Sequence, residues 1–214
     1  MLSLILIRHG QTDWNKERLI QGQLDVPLNE IGEQQASALQ SALVPLVQES
    51  PVPTRAIASD LSRAFHTAEL ALDGCITIEP ELLLREINYG SWQGLDHTRI
   101  RENDPEAAQR WWNKPEWDYK PHGGESFGDL HARMRQFHQQ RILPLVEEQS
   151  QRILIFTHGA AMTAYLNVLF GSNLRFTCNN CSVNEILLQK DSVPRLHFFN
   201  VFPHQEPPFF RLHE

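Results

Sequence analysis

Apolar runs alternate with amphipathic stretches along the 214 residues of this chain. Leu2 to Ile7 is a short, continuous apolar run that reads as a buried strand. Asn29 can cap a helix running to about Val47, with Leu39, Leu43, Leu46 and Val47 on one face. Ala56 to Ala58 is a short strand, Asp60 to about Leu72 a helix, and Ile76 to Ile78 another candidate strand. Ser126-Phe127-Gly128-Asp129 has the form of a capping box. The helix it opens turns Phe127, Leu130, Met134 and Phe137 inward, and Pro144 is expected to kink or end it. Ile153 to Phe156 is an apolar strand and Gly159 to Phe170 a helix. Val183 to Leu188 and Arg195 to Phe199 form a final strand pair around the polar turn Lys190-Asp191-Ser192. This alternation predicts an α/β fold: one domain, residues 1–214, with a mainly parallel central sheet and helices on both faces.

Two regions break the pattern. From about Gly94 to Gly124, Trp111, Trp112, Trp117 and Tyr119 stand among Pro, Asn and Lys. This stretch reads as a small insertion over the sheet edge, a lid. Its aromatics are expected to fasten it to the domain, with substrate contact as the alternative. The tail from Pro203 to Glu214 is proline-rich with little periodicity and reads as irregular.

Composition narrows the function. A formal net charge of −7 argues against a general nucleic-acid binder, which needs a basic face. It leaves room for a locally positive pocket and a small anionic ligand. The N-terminal apolar run is too short for a membrane span and lacks the flanks of a signal peptide. Three cysteines suit a reducing cytoplasm. Cys178 and Cys181 make a lone C-x-x-C, read as two thiols at a loop-to-strand junction, since a structural zinc needs about four ligands. Nothing in the sequence fixes the oligomeric state.

Three predicted strands run straight into polar residues: Arg8-His9-Gly10-Gln11-Thr12, Ser59-Asp60-Leu61-Ser62-Arg63 and Thr157-His158-Gly159. Ligands of open α/β sheets bind at the carboxyl ends of the strands, which puts Arg8, His9, Arg63 and His158 on one rim. Arginine supplies forked donors, and histidine a donor or a nucleophile. The helix N-termini after Ser59 and after His158 are expected to add positive dipole ends. Such a rim suits a phosphate dianion.

These motifs resemble the histidine phosphatase superfamily, the group that includes the cofactor-dependent phosphoglycerate mutases. The nucleophile motif is matched by Leu6-Ile7-Arg8-His9-Gly10-Gln11-Thr12-Asp13-Trp14-Asn15. Gln21-Gly22 with Asp25-Val26-Pro27-Leu28 is similar to the substrate-side loop, and Ser59 to Ala64 with Thr67-Ala68 to the second motif. Leu84-Arg85-Glu86, with Gly90, Trp92 and Gly94, is similar to the acid motif. Gly123-Gly124-Glu125-Ser126, Thr157-His158-Gly159 and Asn180-Cys181-Ser182-Val183 complete a set spanning about residues 4 to 188. The resemblance implies that His9 attacks phosphorus and becomes a phosphohistidine. Arg8, Arg63 and His158 would hold the phosphoryl oxygens, with donors from Asn15 and the backbone near Gly159, and Gln21 and Gly22 on the substrate side. Glu86 would give a proton to the leaving oxygen and later serve as base for water.

Physical chemistry agrees with those roles. Positioned cationic donors are the main device for a phosphoryl group in flight, and a covalent intermediate divides the displacement into two steps. Arg8 and Arg63 are expected to lower the pKa of His9, because a like charge disfavours imidazolium. Glu86 must hold a proton for the first step, a form that burial beside an anionic phosphate would favour. No cofactor and no metal is expected: there is no H-E-x-x-H and no Walker A sequence. The reading is a metal-independent phosphomonoesterase for a small phosphorylated metabolite, with no nucleic-acid or membrane partner. A mutase is the first alternative; a catalytically dead phospho-ligand module is the second. Ser91 is not in a G-x-S-x-G elbow. Glu125 either touches the site or favours the helix that follows it. His122 is a guess for the pocket, His66 reads as structural or solvated, and His97, His131, His138, His197, His204 and His213 have no motif support.

Overall fold

The computed structural model describes residues 1–113, 116–147, 150–172, 174 and 176–202. The tail from Pro203 lies outside the described residues. A six-stranded sheet organises the chain. Its strands are β1 (Leu2–Arg8), β2 (Thr54–Ser59), β3 (Ile78–Glu81), β4 (Gln151–Thr157), β5 (Val183–Leu188) and β6 (Arg195–Val201), in the order β3-β2-β4-β1-β5-β6. β1 to β4 run parallel. β5 joins β1 antiparallel and β6 joins β5 antiparallel, so the sheet is mixed.

Period-two alternation in the central strands divides the core. Leu2, Leu4, Leu6, Ile57, Ile153 and Ile155 face one side. Ile5, Ile7, Ala56, Ala58, Leu154 and Phe156 face the other. The second side is covered by α2 (Glu30–Ala38), α3 (Gln40–Gln48) and α4 (Ser62–Leu72), which follow the short α1 (Asp13–Lys16). The first is covered by α7 (Phe127–Phe137) and α8 (Gly159–Phe170), and by the insertion with α5 (His97–Asn103) and α6 (Pro105–Ala108).

Several expected boundaries move. The helix expected from Asn29 to Val47 tightens at Leu39, whose N–H bonds back to Ala36, and so divides into α2 and α3. The strand expected at Ile76–Ile78 forms instead at Ile78–Glu81, on the sheet edge, a position where a strand tolerates Pro80. Pro144 is not the break in the α7 helix. The α-helical ladder already ends at Phe137, and the chain continues through a wide turn at His138–Ile142 and a tight one at Leu143–Glu147. Proline has no N–H for an α-helical bond there. The capping box at Ser126 is reciprocal: Asp129 N–H donates to the Ser126 hydroxyl at 3.0 Å, and Ser126 N–H to Asp129 at 2.8 Å.

Helices in the insertion begin at local caps. Asp96 accepts from Thr98 and Arg99 N–H, and Asp104 from Ala107 N–H ahead of Pro105. Trp111 is 2% exposed, stacked on Phe127 and edge-on to Trp92. That ring fastens the insertion to the core.

Candidate active site

Arg8 ends β1, Ser59 ends β2 and Thr157 ends β4. These parallel neighbours bring their following residues together on one rim. His9, Arg63 and His158 are buried there, with 3%, 1% and 0% of their surface exposed. The His9 and His158 ring centroids lie 5.1 Å apart. A cavity of about 230 Å³ is lined by Arg8, His9, Asn15, Gln21, Gly22, Arg63, Glu86 and Tyr89, among others. Seven of the sequence-predicted site residues thus share one cavity; His158 meets it through the His9 ring, and Gly159 lies beside Arg8 and Glu86.

The hydrogen bonds assign a task to each side chain. His9 Nδ1 lies 2.7 Å from the Gly10 carbonyl oxygen. A carbonyl can only accept, so Nδ1 carries the proton and Nε2 keeps its lone pair. His158 Nε2 lies 2.8 Å from the Ser59 hydroxyl, which itself accepts from Leu61 N–H at 3.4 Å. A hydroxyl donates once and accepts twice, so Ser59 can partner either tautomer of the His158 ring. Arg63 is moored by two terminal nitrogens, donating to the Leu24 and Gly22 carbonyls at 2.9 and 2.7 Å. Arg8 is moored by the Cys178 carbonyl. What remains is the informative part. Arg8 Nε, Arg63 Nε and His158 Nδ1 are buried with no hydrogen-bond partner among the described residues. The two guanidinium N–H groups are buried donors, costly unless an acceptor joins them; an oxyanion is such an acceptor, and His158 Nδ1 joins them in the tautomer that accepts from Ser59.

Gly22 serves through its carbonyl rather than as a donor. It has φ +55°, and a Cβ there would lie 2.0 Å from Gln93 Oε1, so the Arg63 mooring needs glycine. Gln21 lines the cavity with a buried, unpartnered amide oxygen. A half-turn of that amide would exchange acceptor for donor. Asn15 Oδ1 is committed to Thr12 and to Asn180, which leaves its amide NH₂ for the pocket. Gly10 meets the N-terminus of α2 so closely that a Cβ would lie 2.5 Å from the Gly32 carbonyl oxygen.

Both expected helix dipoles are already occupied. Ser62 N–H at the start of α4 donates to Asp25 at 2.7 Å. At the start of α8, Ala160 and Ala161 N–H donate to the Glu86 carboxylate at 3.1 and 3.0 Å. Positive helix ends attract acids, and here side-chain carboxylates reach them. Gly159 itself sits between Arg8 and Glu86, 3.7 and 3.9 Å from them at the position of an added Cβ. Of the helix backbone expected near Gly159, the N–H groups of Ala160 and Ala161 are therefore committed to Glu86.

Electrostatics follow from burial. Burial first, then Arg63 and Arg8, push the His9 pKa well below the usual imidazole value. The arginines alone were the expected cause; desolvation outranks them. His158 is pushed down in the same way, by burial, then Arg63 and His9. Burial lowers Arg63 to about 10, so it stays charged at neutral pH. Burial raises Cys178 to about 11 and Cys181 to about 12, which makes both inert thiols. Among the described residues no group of three or more His, Cys, Asp or Glu side chains could hold a metal ion.

Sequence reasoning missed several participants. Asn180 donates to the His9 and Gly10 carbonyls at 2.9 and 3.1 Å. Arg133, from α7, donates to the Leu83, Arg85 and Glu86 carbonyls and to both oxygens of Glu125. Glu125 also accepts from Asn88 N–H, so it does neither task foreseen for it: it braces the Glu86 loop. His97, Tyr89 and Trp112 line the cavity, with His97 edge-on to Trp112 at 4.8 Å. His97 carries no local signal, Trp112 has substrate contact only as the alternative reading, and Tyr89 follows the Glu86 loop just ahead of the insertion.

Residues 4–201 match the model of the histidine phosphatase superfamily, branch 1. A glucosyl-3-phosphoglycerate phosphatase of Mycobacterium tuberculosis is 35% identical over 75% of this chain and 72% of its own length. A 2,3-bisphosphoglycerate-dependent phosphoglycerate mutase of Methylorubrum extorquens is 36% identical over 78% of this chain and 79% of its own. Among solved structures, a mycobacterial glucosyl-3-phosphoglycerate phosphatase in complex with VO₃ superposes with a TM-score of 0.79 at 30% identity, covering 92% of this chain and 98% of that one.

Proposed function

The chain belongs to the histidine phosphatase superfamily, and from that premise we propose the reaction it performs: metal-independent hydrolysis of a small phosphate monoester through a phosphohistidine on His9. The observation that carries this reading is the pair of buried guanidinium donors without partners, Arg8 Nε and Arg63 Nε, with the unpartnered His158 Nδ1, beside a neutral ring whose Nδ1–H is engaged by Gly10.

In the first step His9 Nε2 forms a bond to phosphorus as the ester P–O bond breaks. Arg8, Arg63 and His158 in its Nδ1–H tautomer take the equatorial oxygens, where charge accumulates. Asn15 and Gln21 add amide contacts. Glu86, held at the start of α8, passes a proton to the departing alkoxide. In the second step the same carboxylate takes a proton from water, which attacks the phosphohistidine and releases inorganic phosphate. Among the described residues no helix is long and apolar enough to cross a membrane, and the three thiols are free. We assign the reaction to the cytoplasm on that basis.

A phosphohistidine also serves a mutase, and the Methylorubrum relative is named as one. Release of inorganic phosphate against transfer to a second hydroxyl separates the two. The central test is a rapid alkaline quench with phosphorus-labelled substrate. Label is expected on His9, and His9→Ala is expected to lose turnover by at least about a thousandfold. An unlabelled ring with undiminished turnover in the alanine variant would refute the reading.

A further inference from the structure

A second cavity, of about 320 Å³, shares Arg8, Tyr89 and Trp112 with the catalytic pocket as common walls. It begins at the group proposed to protonate the leaving oxygen. Gly159 and Ala160 line it. Ala160 N–H bonds to Glu86 Oε2 at 3.1 Å, and a Cβ on Gly159 would lie 3.9 Å from that same oxygen. A group leaving phosphorus past Glu86 therefore passes into this space.

Its far walls are rings: Trp117, Phe127 and Phe176. Trp117 remains 43% exposed, although its indole is large and apolar. Two of the polar side chains there are already engaged; His131, edge-on to Trp117 at 5.4 Å, and Thr177 also line it. The Thr163 hydroxyl is shared between the Gly159 and Phe176 carbonyls. Asn167 is tied to Leu174 and Ser172 through both ends of its amide. Among the described residues no carboxylate lines the cavity, and its one guanidinium is Arg8, at the phosphate end. A chamber walled chiefly by rings favours a flat guest that stacks on them. A cationic guest would be drawn to the ring faces but opposed by Arg8 and met by no carboxylate among the described lining residues; an anionic one would compete with the phosphate for Arg8.

We propose that this chamber receives the leaving group, and that the preferred substrates are phosphate monoesters of an alcohol bearing an uncharged aromatic ring. The proposal rests on the phosphatase reading above and adds the substrate class to it.

The test compares ethyl phosphate with naphthylethyl phosphate. Both release a primary alkoxide of similar basicity, so a difference in kcat/KM reports the ring rather than the chemistry. The ring is expected to raise kcat/KM about tenfold or more, chiefly through KM. Trp117→Ala and Phe176→Ala are each expected to bring the ratio of the two esters toward one, with thermal melts establishing that the variants fold. Phosphoglycerate and phosphocholine serve as anionic and cationic comparators and are expected to fall below the naphthyl ester. A wild-type ratio near one, a ratio unmoved in both folded variants, or a preference for either charged comparator overturns the proposal while ethyl phosphate turnover leaves the phosphatase reading standing. Failure to cleave any ester overturns both.

Discussion

His9 and His158 are neutral because the fold buries them, and that has a sign. Unfolded, both rings take up a proton near pH 6.5; folded, both resist it to well below that value. As pH falls below about 6.5 the unfolded chain binds up to two more protons, and stability declines by up to roughly 2.7 kcal/mol per pH unit for two such groups. The urea midpoint is expected to fall between pH 7.5 and pH 5, and to fall less in His158→Gln. A midpoint independent of pH over that range contradicts the burial of two neutral imidazoles. The same shift keeps His9 nucleophilic on the acid side, so no loss of kcat/KM near pH 6.5 should be traceable to it. Glu86 has its own signature. Glu86→Gln is expected to cut kcat on an alkyl phosphate by about a hundredfold or more, and on p-nitrophenyl phosphate much less, because nitrophenolate leaves without a proton. Equal losses on both esters would remove Glu86 from the role of acid.

One element does more for the site than its sequence announced. α7 was legible from its capping box and inward apolar face, both of which depend on residues three or four apart. Its Arg133 was not, because its partners are the carbonyls of Leu83, Arg85 and Glu86, about fifty residues upstream. With Glu125 it clamps the loop that aims Glu86, and Gln23 donates to the same Glu86 carbonyl at 3.0 Å. Arg133→Met is expected to lower kcat about tenfold or more by letting that carboxylate drift. The alkyl ester should suffer more than the nitrophenyl ester, as in Glu86→Gln. A loss shared equally by both esters would mark Arg133 as a support for the fold alone. Strand ends were legible in the same local sense, since apolar runs stopping at Arg8, Ser59 and Thr157 marked the rim. The helix dipoles were not, because Asp25 and Glu86 reach them from other loops.

At the scale of the molecule, two arginines and two histidines gather beyond the carboxyl ends of β1, β2 and β4, and the proposed reaction asks of them the charge stabilisation a metal could otherwise supply. EDTA is expected to leave turnover unchanged in a coupled phosphate-release assay, and inhibition reversed by a divalent cation would contradict that. The insertion is both wall and fastening. Trp111 is buried in the core, whereas Trp112 is shared by the two cavities. The sequence could not divide these neighbours, since adjacent indoles look alike until the turn at Gln109–Asn113 points one inward. By itself the sequence determined the strand and helix alternation, the residues of the phosphate rim and the family, because each is written in local periodicity or contiguous motifs. Only tertiary structure decided which helix ends are already occupied, which nitrogen of His9 is free, what braces Glu86 and which rings line the second cavity. Those depend on contacts between residues tens to more than a hundred positions apart, whose geometry no local pattern encodes.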